Sequence, residues 1–223
     1  FNHKLGCIKV ISMCGRYYLE ISKNELSHVS NIDEFEFDTN FNISPQSKVP
    51  AIINNNLTMT TWGYFPDWLK SQANSRPLFN TRFESVQEKK TFQSAFKNSR
   101  CIIPISGWYE WKRDGENKTP YYFSNNSTMF AAGLFWTRSS GDIETSIITR
   151  EASSNLNVVH NRSPLILNIE ELTIWNSDSD SSEVYDGINN YDYNKVTYHE
   201  VDKAVNNPRN NNESLIKEYT ETP

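Results

Sequence analysis

Residues 100–137, RCIIPISGWYEWKRDGENKTPYYFSNNSTMFAAGLFWT, decide the fold. Runs 101–111, 120–123 and 128–137 are rich in β-branched and aromatic side chains, which suit a pleated, half-buried surface, and turn formers separate them. Arg113-Asp-Gly-Glu-Asn117 between the first two runs reads as a hairpin connection. Working outward, the same strand signals recur at residues 59–65, 145–149 and 164–167. Helix signals are shorter. Ser22-Lys-Asn-Glu25 has the spacing of a capping box ahead of Leu26 and Val29, Phe92 and Phe96 form one apolar stripe within residues 87–98, and residues 169–175 read as a helix. Strands and helices do not alternate in βαβ order, so the expected class is α+β: one domain with a mainly antiparallel, curved, barrel-like sheet core and short flanking helices. Residues 176–190 and 206–212 read as loops or mobile segments.

Composition narrows the function. A chain of 223 residues with 12 Phe, 6 Trp and 11 Tyr is long enough and aromatic enough to bury a core. Its net charge of −5 argues against generic polycation binding, but the charge is unevenly spread. Residues 76–118 hold nine Lys or Arg against five Asp or Glu, a basic middle in an acidic chain that suits an anionic partner. The longest stretch free of strongly polar residues, MFAAGLFW at 129–136, is far short of the roughly 20 residues that span a bilayer. Residues 1–12 lack the apolar core of a secretory signal. The expected location is therefore the cytoplasm, with nucleoid association if the host is bacterial. Cys7, Cys14 and Cys101 form no C-x-x-C, and the four histidines show no metal-ligand spacing, so neither a disulfide framework nor a metal centre is expected.

Four places carry side chains able to do chemistry. In Met13-Cys14-Gly15-Arg16, a chain beginning after Met13 would give Cys14 a free α-amine and a thiol on adjacent carbons. An α-amine with a pKa of about 7.7–8.0 is substantially neutral near pH 7.4, where a lysine is not. It attacks an aldehyde to give an imine, and the thiol then adds to the same carbon to close a thiazolidine. The other reading of Cys14 is an ordinary internal cysteine. In Phe79-Asn80-Thr81-Arg82, the Asn amide can orient a nucleophile, and the Arg two residues on can bind phosphate, though a surface loop has the same composition. In the run 100–111, Glu110 sits among Trp108, Tyr109 and Trp111, an apolar setting that raises a carboxyl pKa toward the range useful for proton transfer. The alternative is a strand residue facing water. His160, in His160-Asn-Arg162-Ser-Pro164, stands at an element boundary, as a functional or a backbone-bonded histidine. Cys101, between apolar neighbours, reads as core.

Taken in order, Met13-Cys-Gly-Arg16, Phe41-Asn-Ile-Ser-Pro45, Trp62-Gly-Tyr-Phe-Pro66, Asn80-Thr-Arg82, residues 100–111, His160-Asn-Arg162 and Val205-Asn-Asn207 resemble the blocks of the SOS response-associated peptidase (SRAP) family, the abasic-site processing proteins. The resemblance covers residues 13–217, leaving 1–12 as an extension that is non-native or removed and 218–223 as a tail. It implies a protein, expected to be a monomer without cofactor, that recognises abasic sites in single-stranded DNA. An N-terminal cysteine would crosslink to the ring-opened sugar as a thiazolidine and shield the lesion during the damage response. Carried over, Cys14 is the crosslinking residue, Asn80 orients it, and Glu110 and His160 transfer protons. Gly15, Arg16, Arg82 and Arg162 would hold the strand, with Pro45 and Trp62 supporting or stacking on displaced bases. The peptidase name implies that Cys14 takes part in removing what precedes it, with lyase activity as an accompaniment. Two features depart from the pattern: Asn161 and Ser163 replace an acidic residue and a Met, and residues 1–13 precede Cys14. An N-terminal-nucleophile cysteine amidohydrolase and a non-covalent single-stranded DNA-binding module are the alternatives.

Overall fold

The computed structural model describes residues 15–31 and 37–220. The hairpin connection forms as its chemistry requires. Gly115 takes φ 57°, and Asp114 pairs with Asn117 across a two-residue loop, the geometry that matches the twist of the strands it joins. The run 101–111, expected as one strand, is two strands in different sheets, divided at Ser106. Close approach marks Gly107, the first residue after the division. A Cβ there would run into the Tyr122 ring and stand 2.6 Å from the Phe123 carbonyl oxygen, so only glycine fits. Ser106 splices the crossing, its amide donating to Tyr18 O (2.8 Å) and its hydroxyl to Glu20 O (2.8 Å).

Five antiparallel strands make one sheet: β1 (Tyr17–Leu19), β2 (Asn40–Ile43), β7 (Gly107–Asp114), β8 (Asn117–Ser124) and β13 (Thr197–Glu200), in the order β13-β8-β7-β1-β2. A second set closes on itself: β3 (Lys48–Ile53), β4 (Asn56–Trp62), β6 (Arg100–Ile105), β9 (Met129–Thr137) and β10 (Ile143–Glu151). The ring runs β10-β4-β3-β6-β9 and returns to β10 through the β9–β10 pairing, parallel only at β4–β10. β5 (Asn80–Arg82) and β11 (Arg162–Pro164) extend β10, and β12 (Ile166–Leu167) extends β9. The fold is thus α+β with a barrel core, as the strand signals implied.

The helices are short: α1 (Lys23–Ser27), α2 (Asp67–Lys70), α3 (Lys90–Asn98), α4 (Ile169–Trp175) and α5 (Ser181–Gly187). Ser22 and Glu25 form the capping box at α1, and α3 buries Phe92 and Phe96. Helix α5 corrects the expectation of loop over 176–190. Asp180 caps it at Ser182 N (2.9 Å), and Val184 is its one buried side chain, too little for an apolar period to be visible. Segment 206–212 is irregular but held down: Asn42 donates to Asn207 O (3.0 Å) and Asn210 O (2.9 Å). One apolar cluster joins the two sheets, with Tyr17, Trp108 and Phe123 packed among Val49, Trp62, Ala131 and Ile147. Among the described residues, no helix is long and apolar enough to cross a membrane.

Candidate active site

Glu110 lies on β7 with 1 % of its surface exposed. The connection 152–161 between β10 and β11 carries His160 and is seated by buried Leu156 and Val159, whose backbone winds one helical turn: Ser153 O accepts from Leu156 N (3.0 Å) and Leu156 O from Val159 N (3.0 Å). This seating brings His160 Nδ1 to 3.6 Å from Glu110 Oε1. Two residues fifty positions apart in the sequence are thus neighbours in space.

The ring's surroundings bias its protonation. Burial holds His160 below its ordinary value. The Arg162 backbone hydrogen bond opposes that shift, and the Arg113 and Arg162 guanidinium charges reinforce it. A neutral ring accepts the Arg162 amide at Nδ1 (3.2 Å) and keeps its proton on Nε2. A proton arriving at Nδ1 would surrender that bond but meet two acceptors, Arg162 O at 3.4 Å and the Glu110 carboxylate. The pair is built to take up and release a proton.

Around it opens a cavity of about 360 Å³. Gly15, Arg16, Glu110 and Trp111 line it together with Arg113, Lys118, His160 and Asn206. With His160 neutral, three cations face one carboxylate, so the cavity is positive inside a chain of net charge −5. Arg16 is positioned by neutral acceptors, Asn42 Oδ1 (2.8 Å) and Val205 O (2.9 Å), which leave its charge uncancelled. Burial lowers its pKa, yet a guanidinium remains protonated. Trp111 Nε1 donates to Asn206 Oδ1 (2.7 Å), which fixes the indole as a wall.

The remaining candidates are spread around this centre. Asn80 opens β5 opposite Ile147 of β10 and is not among the cavity-lining residues, and Arg82 is exposed two residues on. Pro45 is half-buried in the β2–β3 turn, where Gln46 N donates to Trp62 O (2.7 Å). Trp62 corrects the stacking expectation. It is 0 % exposed, it packs edge to face with Tyr17 (ring centroids 5.1 Å apart), and Nε1 donates to Phe79 O (2.8 Å), so no ring face is open to a base. Arg162 also departs from a phosphate contact. It is 7 % exposed, and its guanidinium makes a bidentate pair with Glu84 (2.8 and 2.9 Å) and donates to Thr149 O (2.7 Å). Cys101 is buried, and burial pushes its thiol pKa up, as a core cysteine requires. Cys14 lies outside the described residues. Among those described, no group of His, Cys, Asp and Glu is placed to hold a metal.

Sequence reasoning gave no site role to Arg113 and Lys118, nor to Asn42 and Asn206 within the blocks at 41–45 and 205–207. It also missed an aromatic groove where Trp68 of α2, 54 % exposed, and Lys90 lie beside the stacked rings of Tyr64 and Trp136, 3.9 Å apart. The equal distance of Arg113 and Lys118 from the hairpin turn was the available signal for that pair.

The fold is a closed barrel with an apposed antiparallel sheet, and a buried carboxylate–imidazole pair lies in a cationic cavity between them. The chain belongs to the SOS response associated peptidase (SRAP) family, which matches residues 13–208. It is 32 % identical to the abasic site processing protein YoqW of Bacillus subtilis over 93 % of this chain and all of that one. It is 27 % identical to abasic site processing protein YedK of Escherichia coli over 92 % and 99 %. Among solved structures, the fold resembles a protein from Bacteroides thetaiotaomicron with a TM-score of 0.70 at 23 % identity, covering 81 % of this chain and 86 % of that one.

Proposed function

We propose that this protein senses abasic sites in single-stranded DNA and captures them covalently through Cys14 as its N-terminal residue. One observation carries the reading: Gly15, the residue bonded to Cys14, lines the same cavity as Glu110 and His160. Consecutive Cα atoms are about 3.8 Å apart, so a nucleophile at position 14 is one residue from a cavity-lining position. The positive cavity suits a phosphodiester strand, and the relatives' names point to the lesion.

In the proposed reaction, the pair moves a proton from the sugar's anomeric hydroxyl to its ring oxygen, opening the abasic sugar to an aldehyde. The Cys14 amine adds, and the carbinolamine loses water to give an imine. The thiol then adds across the C=N bond, sulfur to carbon and proton to nitrogen, closing the thiazolidine with no oxidant or reductant. Asn80 orients the amine and thiol, while Arg16 and Arg82 hold phosphates. Arg162 acts as a positioning residue, tying the strand that follows His160 to Glu84. Removal of the residues before Cys14, by the same nucleophile, precedes crosslinking, because an amide nitrogen cannot form the imine. The exposed Trp68 groove offers bases a stacking surface outside the cavity.

Mixing the protein with an oligonucleotide carrying one abasic site should give a species that survives SDS and heat. Its intact mass should equal that of a chain starting at Cys14 plus the DNA less one water. A Cys14→Ala protein that forms the same species, or a crosslinked product that retains Phe1, would overturn the reading.

A further inference from the structure

We propose that Arg113 and Lys118 form a phosphodiester clamp at the tip of the β7–β8 hairpin, gripping the DNA backbone at the mouth of the Glu110–His160 cavity. The inference rests on the single-stranded DNA reading above and names a contact within it.

Register brings the two cations together. Asp114 and Asn117 close the two-residue turn, so they are the hydrogen-bonded pair, and Arg113 opposite Lys118 is the next, non-hydrogen-bonded pair. That is the closer kind, with Cα atoms about 4.5 Å apart, and like charges placed so are destabilising. Among the described residues neither side chain has an ion pair or a side-chain hydrogen bond to offset this. Alternation along β7 puts Glu110, Lys112 and Asp114 on the face opposite Arg113, so Asp114 does not share the face of the two cations, which meet Glu110 only as fellow lining of the cavity. A solvated hairpin tip would scatter its charges. Here both cations line the cavity and share a strand face with Trp111, the indole held on Asn206. Two like charges without a partner, fixed by backbone register at the entrance to an acid–base site, leave a place for one bridging anion, and a diester oxygen pair fits it. The cost of the repulsion is recovered only when that anion is bound.

The test uses the Cys14→Ala full chain, which isolates equilibrium binding from crosslinking, with and without Arg113→Gln and Lys118→Gln together. Affinity for an abasic single-stranded oligonucleotide is read by fluorescence anisotropy across a salt series. Loss of one to two phosphate contacts should flatten the log–log salt slope by about 0.7 to 1.4. A neutral methylphosphonate beside the lesion should weaken binding to the parent and add nothing in the double variant. The thermal midpoint should hold or rise, because the repulsion is relieved; a fall would mark a structural role instead and overturn the clamp. An unchanged salt slope, in a protein whose Cys14 form still crosslinks, overturns the clamp and leaves the functional reading intact. If the Cys14 form makes no adduct and the parent binds no single strand, the functional reading falls and the clamp with it.

Discussion

Asn42 shows how one side chain can assemble a site it does not enter. Its Oδ1 accepts from Arg16, and its amide spans Val205 O (3.3 Å), Asn207 O and Asn210 O, so Arg16 and the segment after β13 are fixed to each other through β2. It is 3 % exposed, and an alanine there would take the Oδ1 acceptor from the part-buried Arg16 and the amide donor from the part-buried Asn207 and Asn210 carbonyls. Such an orphaned group costs about 1–3 kcal/mol. Asn42→Ala should therefore lower the thermal midpoint by several degrees, at about 2–4 °C per kcal/mol for a chain of this size. It should also slow adduct formation beyond what the lost stability explains, because Arg16 loses its bearing; an unchanged rate per folded molecule would refute the positioning role. His160 makes a second case with a defined sign. Its folded pKa lies below the ordinary value near 6.5, so as pH falls through that value the unfolded chain takes a proton that the folded chain refuses. Stability is then lost below about pH 6.5, by at most about 1.4 kcal/mol per pH unit from this group, and nothing is lost above it. His160→Gln should flatten the dependence of the urea midpoint on pH between 7 and 5. A slope unchanged by the substitution would assign the acid lability elsewhere.

At the scale of elements, strand composition and turn chemistry carried most of the information. The hairpin at Gly115, the capping box at Ser22 and helix α4 were all legible because each depends on residues within a few positions of one another. The change of sheet at Ser106 was not, since apolar residues on both sides look alike in sequence and the strands that pair with each half lie far away along the chain. Helix α5 was hidden for the opposite reason, its fold signal being a cap and a single Val. Gly107 gives the element-scale prediction. Gly107→Ala forces β7 and β8 apart against a backbone carbonyl that cannot rotate away, an overpacking cost of about 1–3 kcal/mol. Because Glu110 is three residues further along the displaced strand, the variant should lose crosslinking activity along with stability in urea. An alanine variant of wild-type stability would mean that β7 and β8 meet less tightly at Gly107 than the register implies.

For the molecule as a whole, the candidate site was legible where its residues stand at boundaries and illegible where the same residue type serves either core or ligand. Glu110 and His160 were readable because one carboxylate among aromatics and one histidine before a strand are unusual. Trp62 and Arg162 were misread because a tryptophan that packs on Tyr17 and an arginine that pairs with Glu84 have the same sequence appearance as ones that meet DNA. Both turn inward to hold the site's framework, and this sets the energetics of the whole chain. The cavity lies between β7 of the open sheet and the β10–β11 connection of the barrel, so it exists only while the sheets are docked. That docking rests on one shared cluster, in which the fully buried Trp62 of the barrel meets Tyr17 of the open sheet edge to face. Truncating a core tryptophan to alanine costs about 3–5 kcal/mol. If the cluster couples the sheets, heating should unfold them together: far-UV circular dichroism, which reports both, and near-UV signals from the aromatic cluster should share one midpoint in the wild type. Trp62→Ala should move both to a lower common temperature. A near-UV transition that precedes the far-UV loss would show the open sheet leaving an intact barrel, and the site would then be an interface between two separately stable units.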